Sequence, residues 1–284
     1  MIKRIILATA ATGLVCLLFF FGKTAIDKPA LPQESGPAVP EFDIRSYIAL
    51  QKKQLHASQL IFLADIENSI SRGDVKSQTQ KQYSQLADFW KDSVRSFPPY
   101  AFYLSEAAKL DNSEKNLTFA ARLILENMRR EDSVALKSWE AERAVSLFQA
   151  ALKLDPGNDD LKVGLGSCYV YGQGMIGDPQ QTMKGIQQLL EVVHKDSNNM
   201  QAQMVLGIGA VVSRQFDKAV DRLLKVVNFD PKNLEAVSWL ADAYAGAGDK
   251  PNAVKWYEQS KHLVNNPGFS KEVDERIREL NTSP

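Results

Sequence analysis

Small and large apolar residues recur with a period of 34 residues in the last third of this chain. Leu206 is followed 34 residues later by Leu240, and Ala219 is followed at the same distance by Ala253. A small residue on one helix face allows a second helix to approach closely, and a neighbouring large residue fills the remaining space. A single helix pair cannot bury its own apolar face, so the period predicts pairs that stack on one another.

The same spacing continues upstream with one insertion. Leu165 precedes Leu206 by 41 residues, which is one period with seven additional residues, and Pro156 precedes Pro231 by 75. Both prolines follow an aspartate, and proline ends a helix because it cannot continue the backbone hydrogen bonding. This pattern of Leu-Gly, Tyr, Ala, Phe or Tyr, and Asp-Pro over residues 134–265 resembles the tetratricopeptide repeat. The resemblance implies an all-α fold, a right-handed α-α superhelix.

The insertion lies in a glycine-rich segment that also resembles the Sel1-like variant of these repeats. Leu165, Gly172, Gly174 and Asp178 match the spacing of that motif. The Lys-Ala pair expected soon after the aspartate is displaced to residues 184–185, where the sequence is Lys-Gly. Two interpretations stay open, a longer turn between two helices and a loop that contacts a partner.

The first 22 residues predict a membrane anchor. Lys3 and Arg4 precede 18 uncharged residues, from Ile5 to Gly22, which is close to the length that spans a bilayer. No good small-x-small cleavage site follows, so we expect one uncleaved transmembrane helix in a bacterial inner membrane, with the repeats in the periplasm. Secretion to the periplasm after cleavage of a signal peptide is the alternative. Residues 23–42 contain four prolines and predict an extended linker.

The region between the linker and the repeats predicts helices without a clean period. Residues 43–133 contain three apolar stripes at helical spacing, which we interpret as degenerate repeats, a helical cap in the groove of the solenoid, or an oligomerising coiled coil. Residues 266–284 predict a C-terminal capping helix with Ser270 as its N-cap.

Composition and motif content argue against catalysis. Basic and acidic residues are balanced at 34 each, whereas a general nucleic-acid binder shows a basic excess. The three histidines are far apart, and Cys16 and Cys168 are the only cysteines. No nucleophile elbow or phosphate-binding loop is present. We therefore expect no enzyme activity, cofactor, metal or small-molecule substrate.

The family resemblance implies a concave groove lined by the first helix of each pair. Repeat spacing places nine candidate residues in this groove, namely Val163, Ser167, Tyr171, Met204, Val205, Ile208, Val212, Trp239 and Asp242. The lining is mostly apolar and lacks the Lys, Arg and Asn with which some family members clamp a peptide carboxylate. Either residues 43–133 or a partner segment is expected to cover it.

The resulting functional expectation is a membrane-tethered scaffold that binds a partner protein in the cell envelope. A structural protein that forms homo-oligomers through its N-terminal helices is the alternative, and an enzyme is a remote one.

Overall fold

The computed structural model describes residues 41–72 and 75–282. The predicted anchor at residues 1–22 and nearly all of the linker lie outside this range. The described residues form thirteen α-helices and two π-helical turns, with no strand among them. None of the described helices is both long enough and apolar enough to cross a membrane.

The helices follow one another with short connections. Their bounds are α1 Ile44–Lys52, α2 Ala57–Arg72, α3 Lys76–Asp88, α4 Phe97–Asp111, α5 Glu114–Met128, α6 Val134–Leu154, α7 Asp159–Cys168, α8 Pro179–Lys195, α9 Met200–Val212, α10 Phe216–Phe229, α11 Leu234–Gly246, α12 Lys250–Leu263 and α13 Pro267–Thr282. The π-helical turns, Phe89–Val94 and Tyr169–Gly174, extend α3 and α7.

Five successive helix pairs make up most of the fold, from α3 and α4 to α11 and α12. We call the first helix of a pair A and the second B. In the last four pairs each A helix contacts the A helix of the next pair, and each B helix packs between its own A helix and the following one. The A helices therefore form the inner layer of an all-α repeat solenoid, and the B helices form the outer layer.

The repeat region extends further upstream than the sequence spacing indicated. Helix α6, at the start of the region placed at residues 134–265, is a B helix whose A helix is α5. Ala120 and Ala121 of α5 are fully buried, at the seventh and eighth positions of their helix. Leu206 and Gly207 hold these positions in α9. The less regular region at residues 43–133 thus contributes one complete pair, α3 and α4, and the A helix α5 of the next pair.

A recurring Asp-x-x-Asn turn joins three of the B helices, α6, α8 and α10, to the A helices that follow them. The Asn199 side chain accepts a hydrogen bond of 2.9 Å from the Ala202 N–H, and the Asn199 N–H donates to the Asp196 carbonyl over 3.1 Å. Asn158 and Asn233 cap α7 and α11 in the same way. Each cap satisfies an N–H group that the first turn of the helix leaves unpaired, which fixes where the A helix begins.

Small residues lie where helices cross most closely. Gly166 and Gly185 face each other across α7 and α8, because a Cβ on Gly185 would lie 2.9 Å from the Gly166 carbonyl oxygen. Ala219 and Ala253, at the equivalent B-helix position of the next pairs, are fully buried. The small residues of the sequence period are therefore packing positions at which a larger side chain would separate two helices.

Three of the seven inserted residues lengthen an A helix, and three lengthen the following B helix, since α8 contains 17 residues whereas α10 and α12 contain 14 each. Together α7 and its π-helical turn contain 16 residues, whereas α9 and α11 contain 13 each. Gly172 in this turn lies directly against Ala141 of α6, with no room for a Cβ between them. Part of the insertion is thus accommodated as a π-helical turn, and a glycine in this turn permits the contact with the preceding B helix.

The two ends of the solenoid have separate small cores. At the N-terminal end, Leu63, Leu86 and Trp90 are almost completely buried among α1 to α4. At the C-terminal end, α13 packs against α12 through Val273. The prediction of Ser270 as the N-cap of this helix is wrong: Asn266 accepts hydrogen bonds from the N–H groups of residues 268 and 269, so the helix begins earlier.

Candidate functional site

A cavity of about 610 Å³ opens on the A-helix side of the solenoid, and we call it the inner cavity. Its walls come from α5, α7 with its π-helical turn, α9, the end of α10 and the start of α11. Four successive pairs therefore contribute to one site, which is a consequence of the stacking of A helices. Its volume lies in the range typical of ligand pockets.

The floor of the inner cavity is apolar. Tyr171, Met204 and Val205 line it and are buried in the surrounding core. At the rim, Phe229 is the last residue of α10 and leaves 73% of its surface exposed. A large exposed aromatic beside an apolar cavity is the kind of side chain that gains most from a contacting partner.

A polar cluster joins the two ends of the cavity. The Tyr171 hydroxyl donates a hydrogen bond of 2.8 Å to Glu235 Oε1, and Arg129 pairs with the other carboxylate oxygen of Glu235. The guanidinium of Arg129 also lies over the Tyr171 ring, 4.8 Å from its centroid. Burial, with the nearby Glu235 carboxylate, raises the pKa of the Tyr171 hydroxyl far above its usual value, so it remains a donor. This cluster connects the first A helix of the cavity to the last.

The charged lining is predominantly acidic. Four carboxylates line the cavity, those of Glu126, Asp160, Asp230 and Glu235, against the two guanidiniums of Arg122 and Arg129. Arg122 and Asp160 form an exposed ion pair with an N–O distance of 3.6 Å. Glu126 also pairs with Arg129 over 3.4 Å and with Arg130, which does not line the cavity, over 2.8 Å. The lining itself has two more carboxylates than guanidiniums, and this excess favours a partner segment with basic side chains. Among the described residues, no three His, Cys, Asp or Glu side chains are grouped so that they could hold a metal ion.

The structure divides the predicted groove residues. Ser167, Tyr171, Met204 and Val205 converge on the inner cavity. Val163 and Ile208 are also on A helices but are 1% and 0% exposed, because neighbouring helices cover them.

The remaining three predicted groove residues lie elsewhere. Val212 lines a different cleft on the B-helix side. Trp239 is half-buried against the main core. Asp242 accepts hydrogen bonds from the Tyr257 hydroxyl and from Arg276, so it faces the C-terminal helices. Repeat spacing located the A helices, but it did not predict which face of each A helix lines the cavity.

Helix α5 supplies lining residues that the sequence analysis missed. Arg122, Leu125, Glu126 and Arg129 all belong to this helix or directly follow it. The sequence contained one signal that could have located α5: the pattern of α6 is that of a B helix, and a B helix requires an A helix before it. No described residue of α1 to α4 lines the inner cavity, so these helices extend the stack at its N-terminal end and leave the cavity open.

Comparison with known proteins supports the repeat assignment in one part of the chain. Residues 204–267 match the model of the tetratricopeptide repeat. No curated protein sequence gives a match.

The chain is also similar to several solved structures. The structure described as YrrB, a TPR protein with an unusual peptide-binding site, is 17% identical, covers 68% of this chain and 91% of its own, and gives a TM-score of 0.44. MamA from Desulfovibrio magneticus RS-1 is 18% identical, with 74% and 99% covered and a TM-score of 0.44. A tetratricopeptide repeat protein from Parabacteroides merdae is 13% identical, with 79% and 88% covered and a TM-score of 0.43. The part of this chain that is similar to a known family is residues 204–267, which match the tetratricopeptide repeat.

Proposed function

We propose that this chain is a membrane-tethered scaffold of the bacterial cell envelope that binds a segment of a partner protein in the inner cavity. The observation that supports it most is the combination of an apolar floor, the exposed aromatic Phe229 at the rim and an acidic lining. Most of the apolar surface that a partner would remove from solvent belongs to Phe229, because Tyr171, Met204 and Val205 are each 7% exposed or less within the fold itself.

The charge of the cavity specifies the partner further. A segment with alternating apolar and basic side chains places its apolar groups on Met204 and Val205 and its cations near Glu126 and Asp230. Helical repeat proteins provide such extended concave surfaces because each pair adds one more helix to the lining.

The tether follows from the sequence at the N-terminus. An uncharged stretch from Ile5 to Gly22 is long enough to anchor the chain, and a proline-containing linker of about 3.1 Å per residue would hold the repeats a few tens of ångströms from the bilayer. In this proposal the repeats face the periplasm. N-terminal sequencing of the mature protein tests the anchor, and a chain that begins near residue 26 would reject it in favour of a cleaved signal peptide.

Photo-cross-linking from intact cells tests the binding site. Benzoylphenylalanine replaces Phe229 at the rim of the inner cavity, and in a matched control it replaces Phe119, which is exposed on α5 but does not line the cavity. We expect a discrete cross-linked partner from position 229 and none from position 119. The absence of a product at 229, or the same product from both positions, would reject the inner cavity as the binding site.

Exposed apolar residues at the N-terminal end favour a second candidate function, self-association. Leu50 of α1 and Leu60 and Ile61 of α2 lie on either side of one short turn, and Ile61 is 63% exposed. Such residues commonly lie in interfaces. Sedimentation of wild type and Ile61→Glu over a concentration series tests this candidate: a dimer that the substitution dissociates supports it, and a monomer throughout removes it.

A further inference from the structure

A second cleft lies on the B-helix side of the solenoid, and we call it the outer cleft. It measures about 430 Å³ and lies between α8 and α10, above the C-terminal half of α9. Apolar side chains form most of its surface, including Met183, Ile186, Leu190 and Leu206. Met183 is 55% exposed at the edge, where a flexible thioether side chain adapts readily to a contacting group.

The glycine-rich insertion supplies part of the wall of this cleft. Gly174 and Gly177 line it directly before α8 begins. Gly177 has a φ of 92°, a left-handed conformation that glycine adopts without strain. The outer cleft is therefore built partly from the seven residues that distinguish this pair from a regular repeat.

Two cations, Lys218 and Arg222, line the cleft from α10, and none of the described carboxylates lines it. The Arg222 guanidinium is half-buried and donates a hydrogen bond of 2.8 Å to Oε1 of Gln203, a neutral and buried side chain. Lys218, one turn earlier on α10, donates to Gln215 over 2.7 Å. Among the ion pairs of the described residues neither cation has a carboxylate within 4.0 Å.

The missing counter-charge has an electrostatic consequence. Burial lowers the pKa of Arg222, and the neighbouring Asp221 carboxylate, which lies beyond ion-pair distance, offsets this shift only in part. A buried charge is usually paired, so an anion supplied from outside would compensate this desolvation. Arginine is suited to that role because its fork matches the two oxygens of a carboxylate.

We propose that the outer cleft docks a segment of a partner protein in which a carboxylate adjoins two or three apolar side chains. The apolar side chains lie on Ile186 and Leu190, and the carboxylate meets Arg222 and Lys218. This acidic segment is opposite in charge to the basic segment proposed for the inner cavity. The inner cavity lies on the other layer of helices, and its charged lining is mainly acidic. One chain would then hold two different segments at once.

Selection from a displayed library of random peptides tests this proposal. The full chain is the bait, and each recovered peptide is measured by fluorescence anisotropy against three variants. Lys218→Glu reverses a charge in the cleft, and Lys225→Glu makes the same change on the same helix outside both cavities. Phe229→Ser alters only the rim of the inner cavity.

We expect one class of recovered peptides to have Asp or Glu beside Leu, Ile, Phe or Met. Their dissociation constant should rise by about tenfold or more in Lys218→Glu, which corresponds to about 1.4 kcal/mol, and stay within about twofold in the other two variants. A selection without such a class, or one in which Lys218→Glu and Lys225→Glu bind equally well, would overturn the proposal. Peptides lost only in Phe229→Ser would support the inner cavity alone and reject the outer cleft as a docking site.

Discussion

The contact between Gly166 and Gly185 allows a sharp test of the packing that holds the solenoid together. In the variant Gly185→Ala, the new Cβ would lie 2.7 Å from the Tyr169 Cβ and 2.9 Å from the Gly166 carbonyl oxygen. Neither atom can rotate away, since one is backbone and the other is fixed to it. Helices α7 and α8 must therefore separate along a contact that buries Leu189.

Two opposing effects determine the magnitude. Overpacking of a tight contact costs about 1–3 kcal/mol, whereas replacing glycine by alanine inside a helix gains about 1 kcal/mol of helix propensity. Because both obstructing atoms are rigid, we expect a cost near the upper limit and a net loss of about 2 kcal/mol. Urea unfolding followed by circular dichroism should show this as a midpoint lowered by about 0.7–1 M, if m is about 2–3 kcal/mol/M.

The matched control is Gly157→Ala. Gly157 lies in the turn before α7, and the atom nearest to a methyl group at this position would be an Asp155 side-chain oxygen at 3.9 Å. This control should change the midpoint by about 0.3 M or less, equivalent to less than about 1 kcal/mol. A Gly185→Ala protein with an unchanged or raised midpoint and an unchanged m would refute the reasoning, because the two helices would then not meet at these glycines.

Three further substitutions probe separate parts of the structure. Burial raises the pKa of Glu140 to about 8 from 4.5, so between these pH values the folded state retains a proton that the unfolded state loses. The wild-type protein should therefore lose stability as pH rises from 4.5 to 8, by at most about 1.4 kcal/mol per pH unit. Glu140→Gln should remove this slope in urea titrations at several pH values. Tyr171→Phe deletes the hydrogen bond to Glu235 and should cost about 1 kcal/mol in thermal unfolding; no change would show that the cluster adds nothing to stability. Ala253→Leu overpacks a fully buried site and should cost about 1–3 kcal/mol; an unchanged urea midpoint would contradict a close helix crossing there.

Part of the fold could be predicted because its signal is local and periodic. The 34-residue spacing located α9 to α12, and the buried Ala219 and Ala253 confirm the packing role assigned to small residues. The 34-residue period did not locate α5, because its partner α6 has 21 residues and so increases the distance in sequence to the next A helix. It also has Ala120 and Ala121 where α7, α9 and α11 have Leu-Gly or Leu-Ala, so neither spacing nor residue type identified it as an A helix.

The candidate sites were less predictable, for a geometric reason. Arg129 and Glu235 are 106 residues apart, and whether they meet depends on the twist accumulated over three helix pairs. Repeat spacing gives the phase of each A helix but not this twist. The same limitation explains why Ile208, predicted to line the groove, is completely covered, and why Val212 lies in the outer cleft.

The central claim, that the inner cavity binds a partner through its apolar floor and acidic lining, is tested most directly by cross-linking yield. Benzoylphenylalanine at position 229 is combined with Glu126→Lys, which reverses a charge in the cavity, or with Glu142→Lys, which makes the same change on an exposed face of α6 outside it. The account predicts that Glu126→Lys lowers the yield of the cross-linked partner by about fivefold or more, equivalent to about 1 kcal/mol of binding, and that Glu142→Lys leaves it unchanged. Equal yields from both variants would contradict it.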